Sequence, residues 1–102
     1  MLDIATGTGE VALETVDVLP EAHVIGIDPS SEMLLLARKK IASRGLSERI
    51  SLARCQAETL PFRDGSFDAV TIAFGIRNTV DPGLSLSEMR RVLRPGGKAA
   101  VL

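Results

Sequence analysis

The chain has 102 residues, of which 45% are hydrophobic and 25% charged, with a net charge of -1, the balance of one globular domain at most. So even a charge leaves no basic footprint for nucleic acid, and three aromatic residues, Phe62, Phe67 and Phe74, offer little for bases to stack on. One cysteine (Cys55) and one histidine (His23) can form neither an internal disulfide nor a zinc site, and no apolar run reaches the ~20 residues of a membrane span or forms a leader, so a cytoplasmic setting is expected.

Residues 2–5 (LDIA) read as the last part of a buried strand, ended by a glycine turn at 6–9. A helix is expected over 10–19, stopped by Pro20, and a short apolar strand over 23–28 that ends on Asp28. Ser30 reads as the N-cap of a second helix, with Met33, Leu34, Ala37 and Ile41 at helical spacing. It should end near Gly45, after Arg38, Lys39 and Lys40, whose charges suit the negative end of its dipole. A third strand follows at 50–55, then a loop with a tight turn at Asp64-Gly65. Residues 67–74 form a fourth strand, apolar enough to be covered on both faces. Asp81 is the expected N-cap and Pro82 the first-turn residue of a helix over 82–93, which RPGG at 94–97 stops before a fifth strand opens at 98–102. This alternation of strand and helix predicts an α/β domain with crossover connections, a parallel sheet and helices on both faces. Its ligand belongs at the carboxyl ends of the strands, where strand order reverses.

Gly7-Thr8-Gly9 with Ala12 fits G-x-G-x-x-A, and Asp28 lies 19 residues after Gly9, so the chain passes as a dinucleotide fingerprint. Asp3 argues otherwise. A carboxylate four residues before Gly7, at the ligand end of the first strand, repels a pyrophosphate and favours a cation such as the ammonium of an amino acid. S-adenosylmethionine carries that group, together with a ribose whose hydroxyls Asp28 can hold. The competing structural roles are that Asp3 ties down turn amides and that Asp28 caps the helix starting near 30. Gln56 and Ala57, after the third strand, are placed to read the adenine edge, and Met33 to pack on its face or to serve as an ordinary core methionine. Cys55 reads as a small buried filler and His23 as a surface residue.

LDIATGTGE, GIDPSSEML, AETLPFRDGSFD, AFGIRN and EMRRVLRPGG occur in the order seen in class I methyltransferases. AFGIRN with LPF-x-D-x-SFD resembles the ubiquinone/menaquinone biosynthesis C-methyltransferases in particular, and the resemblance covers essentially the whole chain. It implies a Rossmann-like three-layer sandwich with a mostly parallel sheet in the order 3-2-1-4-5, and methyl transfer from S-adenosylmethionine to a ring carbon of a polyprenylated hydroquinol or naphthoquinol, a small-molecule partner. By position, Thr8, Asp28, Gln56, Ala57 and Ala73 match cofactor-contacting places in the family, and Asp3, Gly7 and Gly9 belong to its glycine motif. Gln56 stands where the family often has Asp or Asn, and Ala73 where it often has Ser; both changes are expected to weaken cofactor binding without abolishing it. Arg77 and Asn78, just past the fourth strand, are the candidate catalytic pair, Arg77 stabilising a developing phenolate and Asn78 orienting a hydroxyl or water. No general base is evident, and no metal is expected.

Against that family the chain reads as a single incomplete domain, starting inside the first strand and stopping inside the fifth. The exposed edge of the fifth strand is then a surface for pairing with a second copy. Membrane contact is expected only at the periphery, through the lipid-like acceptor. Three alternatives stay open: a methyltransferase for another small molecule, an inactive cofactor-binding or assembly fragment, and a nicotinamide oxidoreductase.

Overall fold

A computed structural model describes residues 1–73 and 80–102. Its elements are β1 (Leu2–Ile4), α1 (Glu10–Val18), β2 (Val24–Asp28), α2 (Ser31–Ser43), β3 (Ile50–Arg54), β4 (Phe67–Ile72), α3 (Pro82–Val92) and β5 (Leu93–Val101). All pairings are parallel, as the alternation predicts, and the order is β3-β2-β1-β4-β5, as the resemblance implies. From β1 the chain builds outward first to one side and then to the other. The carboxyl end of β1 therefore borders a crevice between the two directions of growth.

The two faces of the sheet are legible from its period of two. Leu2, Ile4, Ile27, Val70 and Ile72 pack with Met89 and Val92 of α3. Val24 and Ile50 pack with Ala12, Leu13 and Val16 of α1 and Ala37 and Ile41 of α2. So α3 covers one face while α1 and α2 cover the other. Asp3, between Leu2 and Ile4, falls on the α1 side, as does Thr71 between Val70 and Ile72. Coverage of β4 is unequal: its α3 side is buried, whereas Ala69 and Thr71 on the other side are only half-buried.

Local signals explain most of the boundaries. Ser30 caps α2, its Oγ accepting from the Met33 N–H at 3.2 Å, and Asp81 caps α3 through the Leu84 N–H at 3.1 Å. The C-terminus of α2 closes as a Schellman motif, with Leu46 N–H to Ile41 O and Gly45 N–H to Ala42 O, both 3.0 Å, and Gly45 left-handed at φ 69°. Lys40 does not serve the end of its own helix: its ammonium reaches Glu10 and Thr8 at the start of α1. RPGG acts differently from a simple helix stop. The helix gives way to strand already at Leu93, which pairs with Phe67, and pairing then skips Arg94–Gly97 to resume at Lys98 opposite Ala69. β5 forms one edge of the sheet and is largely exposed.

α1 has no basic residue in its last turn. Arg49, from the loop before β3, supplies one: Nη2 donates to the carbonyls of Val16 (3.2 Å), Leu19 (3.0 Å) and Ala22 (3.1 Å), and Nε to Ala22 at 3.2 Å. A cation on the last carbonyls satisfies groups that the helix itself leaves open. Arg49→Ala is expected to cost about 1 kcal/mol, or ~4–8 °C in Tm, since the side chain is only half-buried. Melting followed by circular dichroism checks this; an unchanged midpoint would remove Arg49 from the account of α1.

Candidate functional site

The turn after β1 is tied to both neighbouring strands. Ile4 ends the strand, Ala5 takes the left-handed conformation at φ 60°, and the Thr6 N–H donates to Ile27 O at 2.8 Å. A non-glycine residue in that region stores strain of order 1 kcal/mol or more, held here by the surrounding bonds. The turn also lies close on β2: a Cβ added at Gly26 would meet Thr6 Oγ1 at 2.7 Å, so only glycine lets the turn settle there. Gly7 follows at φ 57° with nothing within 4 Å of a would-be Cβ, leaving open space above its backbone. Gly9 is the N-cap of α1 and offers no side-chain cap of its own.

Asp3 is 2% exposed. It does not tie down turn amides, the structural role that its position suggests. Instead Oδ1 accepts from Thr71 Oγ1 and Oδ2 from Thr6 Oγ1, both at 2.7 Å. Burial pushes its carboxyl above the usual aspartate range; the hydroxyls of Thr71 and Thr6 pull it back, and the charge of Asp28 pushes it further up. Asp28, 1% exposed, joins two turns: Oδ2 accepts from the Gly7 N–H and Oδ1 from the Ser30 N–H, both at 2.9 Å. Its bond to Ser30 belongs to the turn before α2, while Ser30 itself performs the capping. Among the described residues neither carboxylate has a basic partner.

The other expected residues fall around these two. Thr8 is half-buried, its hydroxyl donating to Glu10 Oε1 at 2.8 Å. Lys40 and Thr8 hold the Glu10 carboxyl below its ordinary range, so this ion pair braces the outer wall of the turn. Met33 is half-buried in the first turn of α2, in neither core cluster. Beyond β3, Gln56 is exposed and Ala57 buried. Ala73, just past β4, is half-buried and donates its N–H to Ile4 O at 3.3 Å. The topology thus brings Asp3, Gly7, Thr8, Gly9, Asp28, Met33, Gln56, Ala57 and Ala73 to one edge of the sheet, at the carboxyl ends of four adjacent strands. Arg77 and Asn78 lie outside the described residues. Cys55 is half-buried with its thiol pushed up by burial, which leaves it a poor nucleophile, and His23 is exposed.

Sequence reasoning passed over Thr6 and Thr71, which neutralise no charge but satisfy both oxygens of Asp3. The available signal was Thr71, a polar residue in the apolar second half of β4. It also passed over Glu88 and Arg91 of α3, which hold the loop after β3.

A bound S-adenosyl group fits what these residues present. Two buried carboxylates without basic partners among the described residues suit its positive charge and its ribose hydroxyls, and the space above Gly7 admits a ligand close to backbone. A pyrophosphate would face the same carboxylates unfavourably.

Comparison with known proteins agrees. The chain is 50% identical over 103 residues to the ubiquinone/menaquinone biosynthesis C-methyltransferase of Geobacter sulfurreducens, covering 100% of this chain and 40% of that protein. It is 51% identical over 102 residues to the demethylmenaquinone methyltransferase of Thermus thermophilus, covering 100% of this chain and 46% of that one. It spans less than half the length of these relatives. Among solved structures, the cyclase SpnF superposes with a TM-score of 0.90 at 32% identity, over 98% of this chain and 36% of that one. The family model described as the ubiE/COQ5 methyltransferase family matches residues 1–102, and the chain belongs to that family.

Proposed function

We propose that this chain forms the cofactor-binding core of an S-adenosylmethionine-dependent C-methyltransferase acting on a polyprenylated hydroquinol or naphthoquinol. The observation that carries the reading is the pair of buried carboxylates, Asp3 and Asp28, at the ends of β1 and β2 beside an open glycine turn. S-adenosylmethionine supplies a methyl group on a sulfonium, activated for in-line displacement. Asp3 attracts the ammonium, Asp28 accepts from the ribose hydroxyls, and Gln56 with the Ala57 backbone reads the adenine edge over Met33. Thr8, Gly7 and Gly9 shape the turn, and Ala73 lines the path from β4. Arg77 stabilises the phenolate that develops when the acceptor's hydroxyl loses its proton, and Asn78 orients that hydroxyl or a water.

The names of the relatives support quinone methylation as the class of reaction. The likeness to a cyclase favours a second reading, cofactor binding on this scaffold without methyl transfer, because one fold hosts several chemistries. No helix of the described residues is long and apolar enough to cross a membrane. A cytoplasmic protein meeting its lipid-like acceptor at the membrane surface is the setting we infer.

Calorimetric titration of the chain with S-adenosylmethionine and, separately, with NADH tests the reading. Saturable binding of the first and none of the second is expected. Binding of NADH alone, or of neither by a folded chain, would overturn it. Mass spectrometry of a demethylated naphthoquinol incubated with chain and cofactor then separates the two readings by gain of a methyl group.

A further inference from the structure

The loop between β3 and β4 carries Gln56 and Ala57, and α3 grips it at several points. Glu88 Oε1 accepts from the Leu60 N–H at 2.8 Å, while Arg91 Nη2 donates to Leu60 O at 2.9 Å, so one residue of the loop is held at both its polar groups. Arg91 Nη1 donates to Phe62 O and to Asp64 Oδ1, both at 2.8 Å, and the Arg91 carbonyl accepts from the Gly65 N–H at 2.9 Å. Glu88 in turn fixes the guanidinium, accepting from Nε at 2.7 Å and Nη2 at 3.0 Å. At the other end of α3, the Asp81 N–H donates to Glu58 Oε2 at 2.9 Å.

Apolar packing runs beneath these bonds. Ala57 and Leu60 are buried in the cluster that contains Met89 and Val92, the residues next to Glu88 and Arg91 on the helix. Phe62 meets Phe67 edge to face, with ring centroids 5.1 Å apart. The Thr59 N–H donates to Gln56 O at 3.2 Å, which closes the loop's first turn and links Gln56 to the anchored Leu60. Gln56 itself is exposed, standing at the strand end on a loop whose next turn cannot move freely.

We propose that Arg91, oriented by Glu88, is a positioning residue for the nucleoside end of the cofactor: it clamps the loop after β3 to α3 so that Gln56 and Ala57 hold one conformation. This rests on the function proposed above. A loop ordered before the ligand arrives does not have to be ordered by it, so affinity and base selectivity gain together. The planar fork of arginine reaches two carbonyls and two carboxylates at once, which the single ammonium of lysine cannot do. The Glu88 carboxyl, held below its ordinary range chiefly by Arg91 and also by the Leu60 N–H, stays ionised across the neutral range and keeps the fork in place.

Arg91→Met retains most of the aliphatic stem and removes the fork; Arg91→Lys retains the charge. Hydrogen exchange of the ligand-free chain is expected to show the Leu60 amide opening about tenfold faster in Arg91→Met, with Arg91→Lys between it and the wild type. Titration with S-adenosylhomocysteine and S-inosylhomocysteine, which differ only at the base, is expected to show affinity for the first falling about tenfold in Arg91→Met. The preference for adenine over hypoxanthine should narrow at the same time. Arg49→Ala, a remote destabilising change, should leave that preference as it is.

Unchanged exchange at Leu60 in Arg91→Met would overturn the clamp, whatever the ligands do. Equal loss for both thioethers at an unchanged ratio would overturn the positioning role and leave a structural one. A wild-type chain that binds neither thioether would overturn the proposed function, and the nucleoside role with it, even if the exchange result stands.

Discussion

Asp28→Asn is expected to weaken binding of S-adenosylhomocysteine by about 10- to 100-fold, and to lower stability at the same time. Both effects come from one group. The carboxylate accepts from the Gly7 and Ser30 N–H groups, so it holds the glycine turn and the entrance of α2 at a fixed spacing. An asparagine keeps one acceptor oxygen, but its NH2 is set against the other backbone N–H, leaving a donor facing a donor. At 1% exposure no water relieves that mismatch, and an unsatisfied buried group costs about 1–3 kcal/mol. The ribose hydroxyls also lose a charged acceptor. Calorimetric titration with a parallel melting curve measures the two losses together. Full affinity in a destabilised variant would assign Asp28 to the turns alone, and the ribose would need another partner.

What the sequence made legible follows the range of the interactions involved. Ser30 with Met33, and Asp81 with Leu84, are contacts across three residues, so side-chain type and spacing were enough to place both helix starts. The parallel sheet was legible because alternation fixes crossovers, whereas the strand order came with the family resemblance, the glycine turn and its two acidic strand ends marking the point of reversal. Arg49 and Arg91 were not legible. Each reaches carbonyls about 30 residues away, and a carbonyl has no identity in sequence. The partner of Asp3 on β4, Thr71, lies 68 residues on and becomes adjacent only through the register Asp3↔Thr71. RPGG showed a break in the helix, but not that the strand would pair on both sides of it. The most selective family signal, FGIRN, covers Arg77 and Asn78, so the acceptor side of the site still stands on resemblance.

Asp3→Asn should separate stability from binding in the opposite way to Asp28→Asn. Both partners of Asp3 are hydroxyls, which can rotate to accept as well as donate, so an asparagine amide meets no fixed donor. The folded chain also raises the Asp3 carboxyl, mainly through burial and partly through Asp28. A carboxyl whose folded pKa lies above its unfolded value binds its proton more tightly in the native state. Its contribution to stability is therefore greatest at low pH and is lost as pH rises from the ordinary aspartate range through the folded pKa. Asparagine does not titrate. The stability of Asp3→Asn relative to wild type should thus improve with rising pH across that window and then level off, in paired denaturant melts between about pH 4 and 8. Ligand affinity should run the other way. An ammonium favours the ionised carboxylate, so wild-type affinity for S-adenosylhomocysteine should rise as Asp3 ionises, whereas the variant should show weaker binding with no such rise, by about tenfold at neutral pH. A stability of Asp3→Asn that falls relative to wild type as pH rises would contradict the burial of a strained charge. Equal affinity in both proteins would mean that Asp3 serves the two threonines and not the ligand. The two carboxylates are thus kept apart by their partners: Asp28 is held by fixed amides and supports both fold and ligand, while Asp3 is held by hydroxyls that can adapt, and its charge is unfavourable to the empty fold but favourable to a cation.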